Sequence, residues 1–315
     1  MLELQRHAAG NLTLLNEIAS EIRNKSHQER EGFKQLKRSL GSISLSAEYV
    51  KGGIDDLRHH QSYLEQGKIL EWLSPLDFTA QQSDFLSRRQ KGTANWFLES
   101  TEFNNWLGGD YSKTLFCPGL PGAGKTILTS VVVDHLTKLR TSNVGLANIY
   151  VHFQRKEDQT VEKLIGSLLK QLVHGRGVPD YLQALYSQHV AFRTRPSLDE
   201  LLATLDAIVL SYSTTFIVVD ALDELQTYEG TRSRFIDALF VLQSKASVKV
   251  LTTSRFLPDI IERFASAHNL EIRATERDVG IYLESRMSQL PAFVRRNEEL
   301  QSDIKTGIIQ AFNGM

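Results

Sequence analysis

The chain has 315 residues, 41% of them hydrophobic and 23% charged, with 36 basic side chains against 37 acidic ones and a single cysteine, Cys117. One cysteine excludes an internal disulfide and a cysteine-rich zinc site, and a formal net charge of −1 offers no field for collecting polyanions, so nucleic acid is not an expected partner. Apolar runs stop at five residues, Ala238 to Leu242, too few for a membrane span, and Glu3, Arg6 and Glu17 sit in an amphipathic pattern unlike a signal peptide, so a cytoplasmic chain is expected.

Residues 1–73 read as an α-helical N-terminal region. Leu12, Leu15, Ile18 and Ile22 recur at three- and four-residue steps, as do Phe33, Leu36 and Leu40, then Ile54, Leu57 and Leu64, which is the spacing of apolar stripes on helices. Gly41 and the pair Gly52-Gly53 are the expected breaks. Ten basic and ten acidic residues balance in this region; a small helical bundle is the expected form, with a coiled-coil or partner-binding segment as the alternative. Residues 74–109 are read as a linker and pre-loop segment.

From 110 to 275 short β-rich runs alternate with helical ones, the pattern of a parallel α/β sheet. The expected strands are Thr114 to Cys117, Val144 to Phe153, Thr215 to Asp220, Val248 to Thr253 and Leu270 to Arg273. Ser197 with Glu200, and Thr275 with Asp278, are placed to start helices, and Pro258 suits a first helical turn. Residues 276–315 are expected to begin a helical C-terminal segment. Its last apolar residues, Ile304, Ile308, Ile309 and Phe312, share a helical face just before Met315, and this suggests an interrupted domain.

The segment Gly119-Leu120-Pro121-Gly122-Ala123-Gly124-Lys125-Thr126 fits the phosphate-binding pattern of glycine, four residues, glycine, lysine and threonine. Glycines allow a tight turn whose amide hydrogens converge on an anion at the positive end of the next helix. Lys125 is placed to bridge the β- and γ-phosphates, and the Thr126 hydroxyl to take one position on Mg²⁺. A chance match in a chain of this length is expected on the order of one time in a hundred, and the strand before and helix after the loop reduce that further.

Phe216-Ile-Val-Val-Asp220 is an apolar strand with a carboxylate at its C-terminal end, the place where open α/β sheets bind ligands. Asp220 is the expected second magnesium anchor. Many P-loop ATPases have a glutamate directly after that aspartate; here the place holds Ala221, leaving Asp223 and Glu224 either to activate water or simply to decorate a helix start. The run Val248 to Arg255 ends in hydroxyls and a guanidinium, so Ser254 and Arg255 are candidates for detecting a terminal phosphate, against a plain surface ion pair for the arginine.

Together these stretches resemble the NACHT group of signal-transducing P-loop ATPases, in particular fungal proteins and the nephrocystin-like N-terminal P-loop region. The Asp220-Ala-Leu-Asp-Glu224 run carries the resemblance, joined by Ile69 to Phe78, Arg88 to Ala94, Trp96-Phe-Leu98 and Phe103-Asn-Asn-Trp106. The resemblance implies an ATP/ADP-binding switch with Mg²⁺, built on Lys125, Thr126, Asp220, Glu224 and Arg255, with Gly92 to Trp96 near the adenine and Ala94 where relatives have glycine. It implies slow ATP hydrolysis, a homo-oligomer on activation, protein partners through the N-terminal helices, and relatives that continue into a winged-helix segment and repeats. The alternative is a scaffold that binds nucleotide for stability and hydrolyses almost none. A GTPase is disfavoured because no Asn-Lys-x-Asp follows the sensor strand, and no arginine-rich lid suggests a small-molecule kinase. The expected fold class is α/β: a P-loop NTPase with a parallel sheet flanked by helices.

Overall fold

The structure is a computed structural model that describes residues 2–109 and 112–313. The side chains of Glu3, Arg6, Leu12 and Phe312, and all of Met315, lie outside the described residues. The chain forms two compact units, residues 1–65 and 66–315.

One helix, α1, runs from Leu2 to Leu73. The expected breaks at Gly41 and Gly52-Gly53 do not occur, so a bundle of short helices gives way to a single helix. A glycine inside a helix costs about 1 kcal/mol relative to alanine but keeps its place in the hydrogen-bond ladder; only proline removes a donor, and the first proline of the chain is Pro75. In the first unit, every described side chain between residues 13 and 65 is exposed except Ala19, which is partly buried.

The second unit begins with the last turns of α1, where Ile69 and Leu73 join the main core. Residues 74–109 then form α2 (Thr79–Ser87), α3 (Asn95–Glu99) and α4 (Thr101–Gly108). This segment is no linker. Phe97, Phe103 and Trp106 are fully buried, with ring centroids 5.5 and 5.6 Å apart along the series, and they belong to the core on one face of the sheet.

The remaining elements alternate. They are β1 (Thr114–Pro118), α5 (Lys125–Leu139), β2 (Val144–Tyr150), α6 (Val161–Val173), α7 (Asp180–Phe192), α8 (Leu198–Leu210) and β3 (Thr214–Asp220). Then come α9 (Thr231–Lys245), β4 (Val248–Ser254), α10 (Pro258–Arg263), β5 (His268–Asn269), α11 (Glu276–Met287), α12 (Ala292–Arg295) and α13 (Glu298–Asn313). The five strands are all parallel in the order β2-β3-β4-β1-β5. Neighbouring residues of a strand serve opposite faces: Phe116, Ile217 and Val219 enter one core, and Leu115, Cys117, Phe216 and Val218 the other. Burial pushes the Cys117 thiol well above its ordinary pKa, in keeping with a small apolar packing group.

Two strand expectations are corrected at their ends. β2 stops at Tyr150, and Phe153, expected within it, opens a 3-10 turn with 54% of its surface exposed. β5 pairs only at His268 and Asn269, ahead of the expected Leu270 to Arg273. The alignment nonetheless persists, because Leu270 and Ile272 donate from their backbone N–H groups to the carbonyls of Phe116 and Pro118 at 3.0 and 2.7 Å. The local helix signals hold: Ser197 and Glu200 form a reciprocal capping box, Thr275 caps α11 through the Asp278 N–H, and Pro258 opens α10. No helix among the described residues is long and apolar enough to cross a membrane.

Candidate functional site

The C-terminal ends of β1, β3 and β4 converge because β4 lies between the other two. The loop 119–124 leaves β1 and enters α5 at Lys125. Its glycines have different reasons. Gly122 and Gly124 take φ of +80° and +89°, with open space where a Cβ would point, so they make the turn and leave a concave side free. At Gly119 a Cβ would stand 2.6 Å from the Ile272 carbonyl oxygen; there glycine permits close packing against the chain after β5. Leu120 and Pro121 are exposed at the rim, while Ala123 packs against the core.

Lys125 folds back over this loop, its Nζ donating to the carbonyls of Gly119 at 2.9 Å and Leu120 at 2.8 Å. Burial lowers its pKa, and the nearby carboxylates Asp223 and Asp220 oppose that shift. An ammonium that is partly desolvated and spans the loop is poised for an anion of higher charge than a carbonyl.

The expected magnesium pair is brought together. Thr126 Oγ1 donates to Asp220 Oδ2 at 2.7 Å. Asp220 is 2% exposed and also accepts from Thr129 at 2.9 Å and Thr253 at 2.7 Å, both through Oδ1. Burial raises its pKa, and these three hydroxyl donors pull the other way. Thr129 and Thr253 were not singled out from the sequence, though Thr126 and Thr129 share a helix face at i and i+3. Ser254, expected among the ligand-binding residues, is fully buried and donates to the Arg255 carbonyl at 2.8 Å; the hydroxyl that β4 delivers to Asp220 comes from Thr253, one place earlier.

After Asp220 the chain turns sharply at Ala221, whose φ is +55° and whose N–H donates to Thr253 Oγ1 at 2.9 Å. This turn sets Asp223 and Glu224 at the mouth. Asp223 binds Arg255 twice, accepting from its backbone N–H at 3.0 Å and from Nε at 2.5 Å. The Asp223 side chain is 2% exposed and that of Arg255 51%, so the carboxylate is an anchor and the guanidinium faces outward; the bond to Asp223 holds the Arg255 pKa above its ordinary value. Glu224 accepts from the Phe153 N–H at 3.0 Å, which links the mouth to the end of β2. Sequence reading missed that link because the donor is a backbone group. It also missed Arg232, 7% exposed and paired with Asp259, because that ion pair joins α9 to α10.

Gly122, Gly124, Lys125, Thr126, Glu224 and Arg255 line a cleft of about 360 Å³. A second cleft of about 640 Å³ adjoins it, bounded by Phe153, Glu224, Tyr228, Arg232 and Arg255. Both fall in the size range of small-molecule sites. The stretch expected near the adenine, Gly92 to Trp96, is tied to α11: the Ala94 N–H donates to Asp278 Oδ2 at 2.8 Å. Ala94 adopts φ +63°, a conformation that glycine takes without cost.

The family model described as Nephrocystin 3, N-terminal, matches residues 92–255, more than half of the chain. The chain belongs to the nephrocystin 3 N-terminal family. The matched residues run from the Gly92 loop through the phosphate loop to Arg255, covering every group just described at the cleft. The vegetative incompatibility protein HET-E-1 of Podospora anserina is 23% identical over 235 residues, 70% of this chain and 17% of that protein, so the chain spans about a sixth of that relative's length. Among solved structures, Drosophila ORC bound to DNA aligns over 73% of this chain and 57% of its own at 18% identity and a TM-score of 0.43. Domain III of the Thermotoga maritima replication initiation protein DnaA aligns over 69% and 79% at 13% identity and a TM-score of 0.38.

For this nephrocystin 3 N-terminal chain, the residues fit a nucleoside phosphate with a divalent cation. The open concave side of Gly122 and Gly124 admits oxygen atoms, Lys125 supplies an ammonium, and Thr126 with Asp220 would hold Mg²⁺ through one hydroxyl and one carboxylate. Mg²⁺ typically completes its octahedron with water and phosphate oxygens rather than protein groups, and when bound it would neutralise phosphate charge. Among the described residues no group of three or more acidic, histidine or cysteine side chains is placed to hold a metal ion.

Proposed function

We propose that this chain is a NACHT-type switch that binds ADP and ATP with Mg²⁺ and hydrolyses ATP slowly, resembling fungal non-self recognition and cell-death receptors. One observation carries the switch: Arg255 is held by buried Asp223 at the mouth of the cleft that contains Lys125. A terminal phosphate would compete with Asp223 for the guanidinium, whereas a diphosphate leaves the pair intact. Moving a two-state equilibrium from about 1:99 to 99:1 needs roughly 5.5 kcal/mol of differential binding, and two or three charge-assisted contacts of about 1.5–3 kcal/mol each are of that size. Glu224 is the group that would orient water, once it leaves the Phe153 N–H. Activation would then bring the nucleotide-binding units of associated copies together and free the outer face of the N-terminal helix for a protein partner.

A second reading, a nucleotide-stabilised scaffold, is favoured by Ala221 at the usual glutamate place and by the engagement of Glu224 with β2. Phosphate release separates the two. General-base catalysis contributes about 10²–10⁴-fold, so Glu224→Gln should lower a slow wild-type rate by about a hundredfold or more with ATP affinity retained. Equal, near-zero rates in both proteins would reject hydrolysis and leave the scaffold.

A further inference from the structure

We propose that the first unit pairs with the same unit of a second copy of this chain as a parallel, in-register coiled coil, whether or not nucleotide is bound. From Phe33 to Leu64 the steps 33, 36, 40, 43, 47, 50, 54, 57, 61 and 64 alternate three and four residues without a fault, and nine of these ten positions are apolar. A period of 3.5 sustained over four heptads is a coiled-coil seam rather than the broader stripe of a helix in a globular core. Those residues lie on one uninterrupted helix. Phe33, Leu36, Leu40, Ile43, Ile54 and Leu57 are between 45% and 71% exposed. With the rest of the seam they present, from each copy, an area on the order of the ~800 Å² per partner that a stable interface buries.

The flanking positions identify the occupant and its direction. On one side of the seam stand Arg30, Lys37, Ser44, Lys51 and Arg58, and on the other the residues that face them in a parallel pair, Lys25, Gly32, Ser39, Ser46 and Gly53. In a parallel pair each flank meets the opposite flank of its partner, so Lys37 lies over Gly32 of the other copy and Lys51 over Ser46, small residues that leave room for the aliphatic stems. An antiparallel pair would set the basic flank against itself, which is repulsive. Between Phe33 and Leu64 the one polar seam position, Gln61, meets its own counterpart only when the two copies are parallel and in register, the use of a single polar seam residue to fix register. Toward the N-terminus the seam turns polar at Ser26 and Glu29, and Glu29 lies beside Arg30 of the other copy, where it offsets the meeting of that arginine with Lys25.

Sedimentation equilibrium of the full chain at micromolar concentration is expected to give twice the 35.6 kDa chain mass, unchanged by Mg-ADP or Mg-ATP. The double variant Leu36→Lys, Ile43→Lys is expected to sediment as a monomer with the thermal midpoint of the second unit unchanged, and Arg38→Glu, on the opposite side of the helix, to remain dimeric. Leu36→Cys and Leu57→Cys, made separately, are each expected to form a covalent dimer on mild oxidation, with the buried Cys117 spared. A monomeric wild type, a larger assembly, or a lysine double variant that stays dimeric would overturn the pairing. Failure of either cysteine variant to link to itself would overturn the parallel register. None of these results bears on nucleotide binding.

Discussion

Lys125→Ala is expected to weaken Mg-ATP binding by about ten- to 150-fold in Kd, corresponding to the roughly 1.5–3 kcal/mol of a hydrogen bond to a charged group. The lysine bridges two loop carbonyls, and one of them, on Leu120, belongs to an exposed residue that water can satisfy. The unliganded protein should therefore unfold within about 0.5 kcal/mol of wild type, the range of ordinary surface changes. Titration calorimetry with ATP and ADP, paired with thermal unfolding, reads both quantities. The triphosphate should suffer more than the diphosphate, because the ammonium serves the outermost phosphates. Equal affinity in wild type and variant would remove Lys125 from the site.

Asp220→Asn is expected to abolish the Mg²⁺-dependent part of ATP binding and at the same time to raise the thermal midpoint of the unliganded protein at neutral pH. Burial raises the Asp220 pKa in the fold. An acid whose folded pKa is raised above its unfolded value contributes stability that is fully present below the unfolded pKa and is lost as pH rises through the folded one. At neutral pH Asp220 is therefore a net cost to folding, and a neutral amide of the same shape removes it. The advantage of the variant should shrink as pH is lowered from 8 toward the carboxylate range. Mg²⁺ requires the ionised form, so Mg-ATP affinity of the wild type should fall over the same descent. A variant less stable than wild type at neutral pH would show that the hydroxyls of Thr126, Thr129 and Thr253 more than offset the desolvation of the carboxylate.

The parts of the site that were legible in the sequence are those where a residue type is the only physical solution. Gly122 and Gly124 turn with positive φ, which favours glycine, and Asp220 closes the apolar run Phe216 to Val219 with a buried carboxylate that needs polar partners. Ser197 with Glu200 was legible for the same reason, since the reciprocal cap needs those two side chains at that spacing. What escaped depends on backbone groups or distant packing. The Phe153 N–H carries no side-chain signature, and the Arg232–Asp259 pair joins residues 27 positions apart. The continuity of α1 was misread because Gly41, Gly52 and Gly53 weaken a helix without breaking it. The burial of Phe97, Phe103 and Trp106 was hidden because the segment is short and lacks a long periodic pattern, and its apolar rings find their partners only on the sheet.

Hydrogen exchange on the full chain with and without Mg-ATP is the most direct test of whether the amides of residues 122–126 cradle phosphate oxygens. Slowed exchange at Gly122 to Thr126, extending to Arg255 with ATP more than with ADP, is the expected outcome. Unchanged exchange across that loop under saturating nucleotide, with protection elsewhere or nowhere, would contradict it.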